Sequence, residues 1–117
     1  MTSEAEILLE AQLSQAGIPF EREVVFAAPR KWRADFGVYE AVGRGNPWGP
    51  RVLLVEIDGG AYVNGRHSRG TGVEADCEKT SAAAILGYRV IRCTPRQVED
   101  GRALEWIRQA LGLEVAA

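Results

Sequence analysis

Apolar and polar residues divide this chain into short stretches of two different periods, and each period predicts an element. Ser3-Glu4-Ala5-Glu6 has the form of a capping box, so a helix is expected to open there. Ile7, Leu8, Ala11 and Leu13 suit its buried stripe, and Gly17 and Pro19 end it. Residues 20–27 carry Val24, Val25 and Phe26, a short strand that Pro29 breaks. Residues 31–39 alternate, with Trp32, Ala34, Phe36 and Val38 on one face and Arg33, Asp35, Gly37 and Tyr39 on the other. Residues 40–50 hold three glycines and two prolines and read as a loop between strands. Residues 52–58 are continuously apolar up to Glu56, the pattern of a central strand buried on both faces.

The second half changes period. Residues 59–72, with five glycines among Asn64, Arg66, His67, Ser68 and Arg69, predict a long loop, and loops of that length in compact domains are usually functional. Thr71-Gly72-Val73-Glu74 is a second capping box, opening a helix that runs to about Leu86 and stops at Gly87. Residues 88–93 form a short strand. Thr94-Pro95-Arg96-Gln97 combines an N-cap, a proline at the first helical position and a glutamine three residues on. A last helix spans about 101–111 and ends at Gly112. The expected order is α-β-β-β-α-β-α: hairpin-linked strands first, then a crossover helix that sets the last strand parallel to a neighbour.

Composition narrows the class. The chain has 117 residues, 46% hydrophobic and 26% charged, which fits one ordinary globular domain over residues 1–117. No apolar run approaches membrane-spanning length, so no membrane partner is expected. The acidic N-terminus lacks the form of a signal peptide. Cys77 and Cys93 fit neither a metal spacing nor a disulfide framework, so a reduced, cytoplasmic setting is expected. With a net charge of −2 there is no global pull toward nucleic acid, and any such binding must come from local patches.

The chemistry lies in three acids. Glu56 and Asp58 are two apart at the end of one strand and point to the same face. Asp35 sits on the preceding strand and lies across from them if the two strands form a hairpin. Acids are costly to bury, and a divalent cation such as Mg²⁺ or Mn²⁺ is a simple reason for grouping them. Asp35 and Glu56 would be ligands, with the Ile57 carbonyl between. The pattern alone leaves a second reading open, in which the acids end strands at the surface and meet nearby arginines. Asp58-Gly59 is also a turn signal.

The order of elements and these residues resemble the PD-(D/E)XK nuclease superfamily, whose restriction-endonuclease-like αβββαβ core would here be a mixed central sheet flanked by helices, with a further C-terminal helix. The likeness is strongest to its small members, similar to very-short-patch-repair endonucleases and phage-borne VRR-NUC-like nucleases. The pieces that carry it are Arg33-Ala34-Asp35-Phe36, Val55-Glu56-Ile57-Asp58-Gly59-Gly60, Gly65-Arg66-His67, Asp76-Cys77-Glu78-Lys79 and Gly87-Tyr88-Arg89-Val90-Ile91-Arg92. They extend over roughly residues 3–111. One position departs from the family pattern: where its lysine follows the third-strand acid, this chain has Asp58, and the resemblance points to Lys79 on the next helix as the substitute.

The resemblance implies a metal-dependent DNA endonuclease that hydrolyses phosphodiester bonds. Asp35 and Glu56 would hold the metal, Lys79 would polarise water or phosphate, and Asp58 and His67 would be accessory. Lys31, Arg33, Arg66 and Arg69 are the expected contacts to DNA phosphates. So small a domain favours structure-selective cutting, either nicking or resolution of branched DNA, and a homodimer if two symmetric cuts are made. The rival reading is a non-catalytic nucleic-acid-binding module that keeps the fold. Glu6 is explained by capping, although a first-helix glutamate serves the site in some members. Trp48 reads as a packing residue before it reads as a base-stacking one, and Trp32 and Trp106 read as core.

Overall fold

The computed structural model describes residues 3–39, 52–58 and 70–113. Helix α1, Glu4–Gln15, opens on the expected capping box: the Glu6 amide donates to the Ser3 hydroxyl (3.2 Å) and the Ser3 amide donates to Glu6 Oε2 (2.9 Å). It ends in a Schellman turn, with Gly17 at φ +71° and the Ile18 amide donating to the Leu13 carbonyl. The buried stripe differs from the expected one. Ala5, Leu9 and Leu13, four residues apart, face the core, while Ile7 is 58% exposed and Ala11 is also exposed. Ile7 stands about 200° around the axis from Leu9, so both cannot face one sheet.

Four strands follow: β1 Phe20–Val25, β2 Arg33–Tyr39, β3 Val52–Ile57 and β4 Arg89–Cys93, in the spatial order β1-β2-β3-β4. The first two pairings are antiparallel, and β3 pairs with β4 in parallel. Helix α2, Gly70–Ile85, precedes the parallel strand, as the crossover argument requires. It begins at Gly70, ahead of the Thr71 capping box expected to open it. Helix α3, Pro95–Glu99, starts from Thr94, whose hydroxyl accepts from the Gln97 amide at 3.3 Å, and α4, Arg102–Ala110, follows Gly101. The protein is therefore α+β, a mixed four-stranded sheet flanked by helices. No helix among the described residues is long and apolar enough to cross a membrane.

Two apolar clusters lie on the two faces of the sheet. The larger joins Leu9 and Leu13 of α1, Phe36, Val38, Leu53 and Val55 of the sheet, and Val98 and Ile107 of α3 and α4. The smaller lies under α2 and holds Phe26, Ala34, Leu54 and Ala83, with Trp32, Tyr88 and Val90 at its margin. Leu53 and Val55 serve one cluster and Leu54 the other, so β3 is buried on both faces as its unbroken apolar run predicts. Trp106 packs at the margin of the larger cluster.

Strand β2 corrects the simple alternation expected of it. Trp32 and Ala34 belong to the α2 side, and Phe36 and Val38 to the α1 side, so the strand changes face at Asp35. On the neighbouring strand, between the pairs Arg22↔Phe36 and Val24↔Ala34, Glu23 has φ +52°. A side chain in that left-handed region costs about 1–2 kcal/mol, and such local distortions re-aim the residues beside them. Two residues further along β2, a methyl group at Gly37 would meet Val24 Cγ2 at 2.6 Å and Val52 Cγ1 at 3.1 Å. Gly37→Ala is therefore expected to destabilise the protein by roughly 1–3 kcal/mol, read as a lower urea midpoint with an unchanged slope.

Candidate functional site

The β2–β3 register places the acids. Phe36 and Val55 form the last pair of the ladder at this end, so Asp35 and Glu56 are the residues next to that pair on the two strands. The Ile57 amide donates to Asp35 Oδ2 at 2.7 Å, a cross-strand tie that fixes the carboxylate. The Ile57 group engaged here is thus its N–H.

Helix α2 brings the cation. Ala83 is its buried anchor against the sheet, and Asp76, Lys79, Thr80 and Ala83 recur at helical spacing along one stripe. That stripe roofs a cleft floored by Leu54, Glu56, Val90 and Arg92. One turn before Ala83, Lys79 Nζ forms an ion pair with Glu56 Oε1. Asp58 lines the same cleft, as its two-residue spacing from Glu56 requires, and accepts from Arg92 Nε at 2.7 Å. Arg92 is the parallel-register partner of Glu56 on β4. Asp35 is not among the lining residues of the cleft; it stands beside it, at the point where β2 changes face.

Burial sets the electrostatics of both acids. It pushes the Asp35 carboxyl above the usual aspartate range, against the pull of the Ile57 amide; the Glu6 charge adds to the rise, and Lys79 and Arg22 oppose it. Glu56 is likewise raised by burial, with Lys79 pulling it back and the Asp35 and Asp58 charges pushing it up. Neither carboxylate is fully compensated, so added positive charge at this end of β3 would be favoured.

Behind Asp35 lies a second set of charges. Arg22 Nη2 meets Glu6 Oε1 and Arg22 Nη1 meets Glu10 Oε2, both at 2.8 Å, and its guanidinium lies 4.6 Å from the Phe36 ring centroid. Glu6 therefore caps α1 and also bears on the site. Sequence reasoning missed Arg22 entirely and did not single out Arg92. For Arg92 the signal was available: aligning residues 89–93 in parallel with 53–57 pairs Glu56 with Arg92.

The structure brings Glu56, Asp58 and Lys79 into one cleft and leaves Asp35 beside it. It does not bring Arg33 into the cleft: Arg33 lies 3.7 Å from Glu23 on the neighbouring strand, and Lys31 is exposed. Arg30 stacks over Trp32 and reaches Glu78 of α2 at 3.4 Å. His67, Arg66, Arg69 and Trp48 lie outside the described residues. Cys77 and Cys93 are both free thiols, and burial pushes the Cys93 thiol up to about 12, so it is a packing group beside the site and no nucleophile.

Among the described residues, no three His, Cys, Asp or Glu side chains are grouped to hold a metal ion. Asp35 and Glu56 are the two acids here that could offer donors. Such a pair fits Mg²⁺, which commonly takes one or two carboxylates and completes its shell with water and substrate phosphate. Both carboxylates are half-buried and only partly compensated, which agrees with that fit. Comparison of the chain with protein-family models, with curated proteins and with solved structures finds no match.

Proposed function

We propose that this chain is a Mg²⁺- or Mn²⁺-dependent DNA endonuclease with a restriction-endonuclease-like core, whose structure-selective cutting is either nicking or resolution of branched DNA. The observation that carries the reading is the Asp35 carboxylate tied to the amide that follows Glu56, with the Lys79 ammonium held on Glu56 from α2. Asp35 and Glu56 would hold the divalent cation, which supplies Lewis-acid activation at the scissile phosphate. Lys79, beside Glu56, would stabilise charge developing on the phosphate oxygens or orient the attacking water. The Ile57 amide keeps the Asp35 carboxylate aimed, and Arg22 keeps Glu6 from adding its full charge to it.

The test is plasmid nicking and four-way-junction cleavage with Mg²⁺ or Mn²⁺. Glu56→Ala and Asp35→Ala are expected to lower cleavage by at least about a thousandfold while far-ultraviolet circular dichroism stays native. Parallel RNA substrates decide between deoxyribonuclease and ribonuclease. The presence of Asp58 at the family's lysine position, tied to Arg92, favours a second reading, a non-catalytic nucleic-acid-binding module. DNA binding without cleavage under any divalent metal would establish that reading in place of the first.

A further inference from the structure

Arg92 stands where two clefts meet. The acid cleft under α2 and a more open groove lined by Val73, Asp76, Cys77, Thr80 and Ser81 share Arg92, Asp76 and Thr80 as walls. The side chain is 42% exposed, within reach of a ligand in either space. Its contacts are uneven. The Nε–Asp58 bond is short at 2.7 Å, but Nη1 lies 3.5 Å from Thr80 Oγ1 and Nη2 3.9 Å from Asp76 Oδ2. A guanidinium offers five N–H donors in a planar fork, and its best acceptors are carboxylate and phosphate oxygens that take two donors at once. Arg92 thus has one strong tie and two long ones, beside two hydroxyl side chains, on the wall shared by the groove and the cleft that holds Glu56.

We propose that Arg92 is the phosphate-binding residue of the bound strand, and that Asp58 is its place-holder, exchanged for a phosphodiester when a strand enters the groove. This rests on the phosphodiester-cleaving reading of the acid cleft, but it concerns binding and is read separately from cleavage. Asp58 would oppose strand binding while it holds Arg92.

Fluorescence anisotropy of a labelled four-way junction, in EDTA and over a range of salt, tests the proposal on the full chain. Arg92→Ala is expected to weaken binding roughly tenfold and to lower the salt slope by about 1, with Arg92→Lys intermediate. Asp58→Asn is expected to tighten metal-free binding several-fold, since it releases Arg92. Unchanged affinity and salt slope in Arg92→Ala would overturn the proposal, as would unchanged or weaker metal-free binding in Asp58→Asn. Should Arg92→Ala fail to fold, the Arg92→Lys and Asp58→Asn arms decide. A wild-type chain that binds and responds this way but cuts nothing would leave the Arg92 assignment standing and defeat the nuclease reading. A wild-type chain that binds no DNA defeats both.

Discussion

Asp35→Asn is expected to abolish metal-dependent cleavage and, in the same variant, to raise the thermal midpoint at pH 7 by a few degrees. Both effects come from one placement. The Asp35 carboxyl is raised mainly by burial, so the folded protein keeps its proton to a higher pH than the unfolded chain does. Between those two values the folded state binds more protons, and stability falls as pH rises. Above the folded value the cost of the buried charge is fully present; below the ordinary aspartate value it is gone. Asparagine carries no charge at any pH and still offers an oxygen to the Ile57 amide. Melting curves at pH 4 and pH 7 should show the gain at pH 7 shrinking in acid. A variant less stable than the parent at pH 7 would show that the carboxylate is net stabilising and would remove the argument.

Lys79→Ala is the second large effect. If the ammonium on Glu56 serves the developing phosphate charge, its loss lowers cleavage by roughly 10²–10³, about 2.7–4 kcal/mol of the barrier. Lys79→Arg recovers only part of this, because a planar guanidinium does not occupy the same point as an ammonium. The variant also leaves Glu56 half-buried without its main compensating charge, so its carboxyl is held still higher. Lys79→Ala should therefore lose stability at neutral pH and regain it on acidification, the sense given by a raised carboxylate. Full cleavage by Lys79→Ala would end its catalytic role and shift attention to Asp58.

Much of the fold could be read in the sequence because it depends on neighbours along the chain. The Ser3–Glu6 and Thr94–Gln97 boxes act within one helical turn, and the unbroken apolar run of β3 reports burial on both faces directly. The face of α1 was misjudged because Ile7 and Ala11 are apolar yet lie off the stripe that Ala5, Leu9 and Leu13 define. Strict period-two reasoning put Trp32, Ala34, Phe36 and Val38 on one face, and the change of side at Asp35, beside the positive φ of Glu23, depends on a neighbouring strand. Lys79 entered through family resemblance, since nothing local to α2 says which sheet residue it meets. Arg22 had no signal at all: its partners Glu6 and Glu10 reach it across the layer between α1 and β1, a contact that exists only in three dimensions.

The switch of face at Asp35 makes the site answer to both layers of the molecule. The charges that act on this carboxylate come from α1 and β1 on one side, through Glu6 and Arg22, and from α2 on the other, through Lys79. A chain with only one layer docked would carry the acids without their proper field. The site is thus complete only when both halves of the core are closed. If it does cut DNA, that coincidence requirement keeps a half-folded or partly opened chain from being a loose nuclease, and ties activity to the integrity of the whole domain.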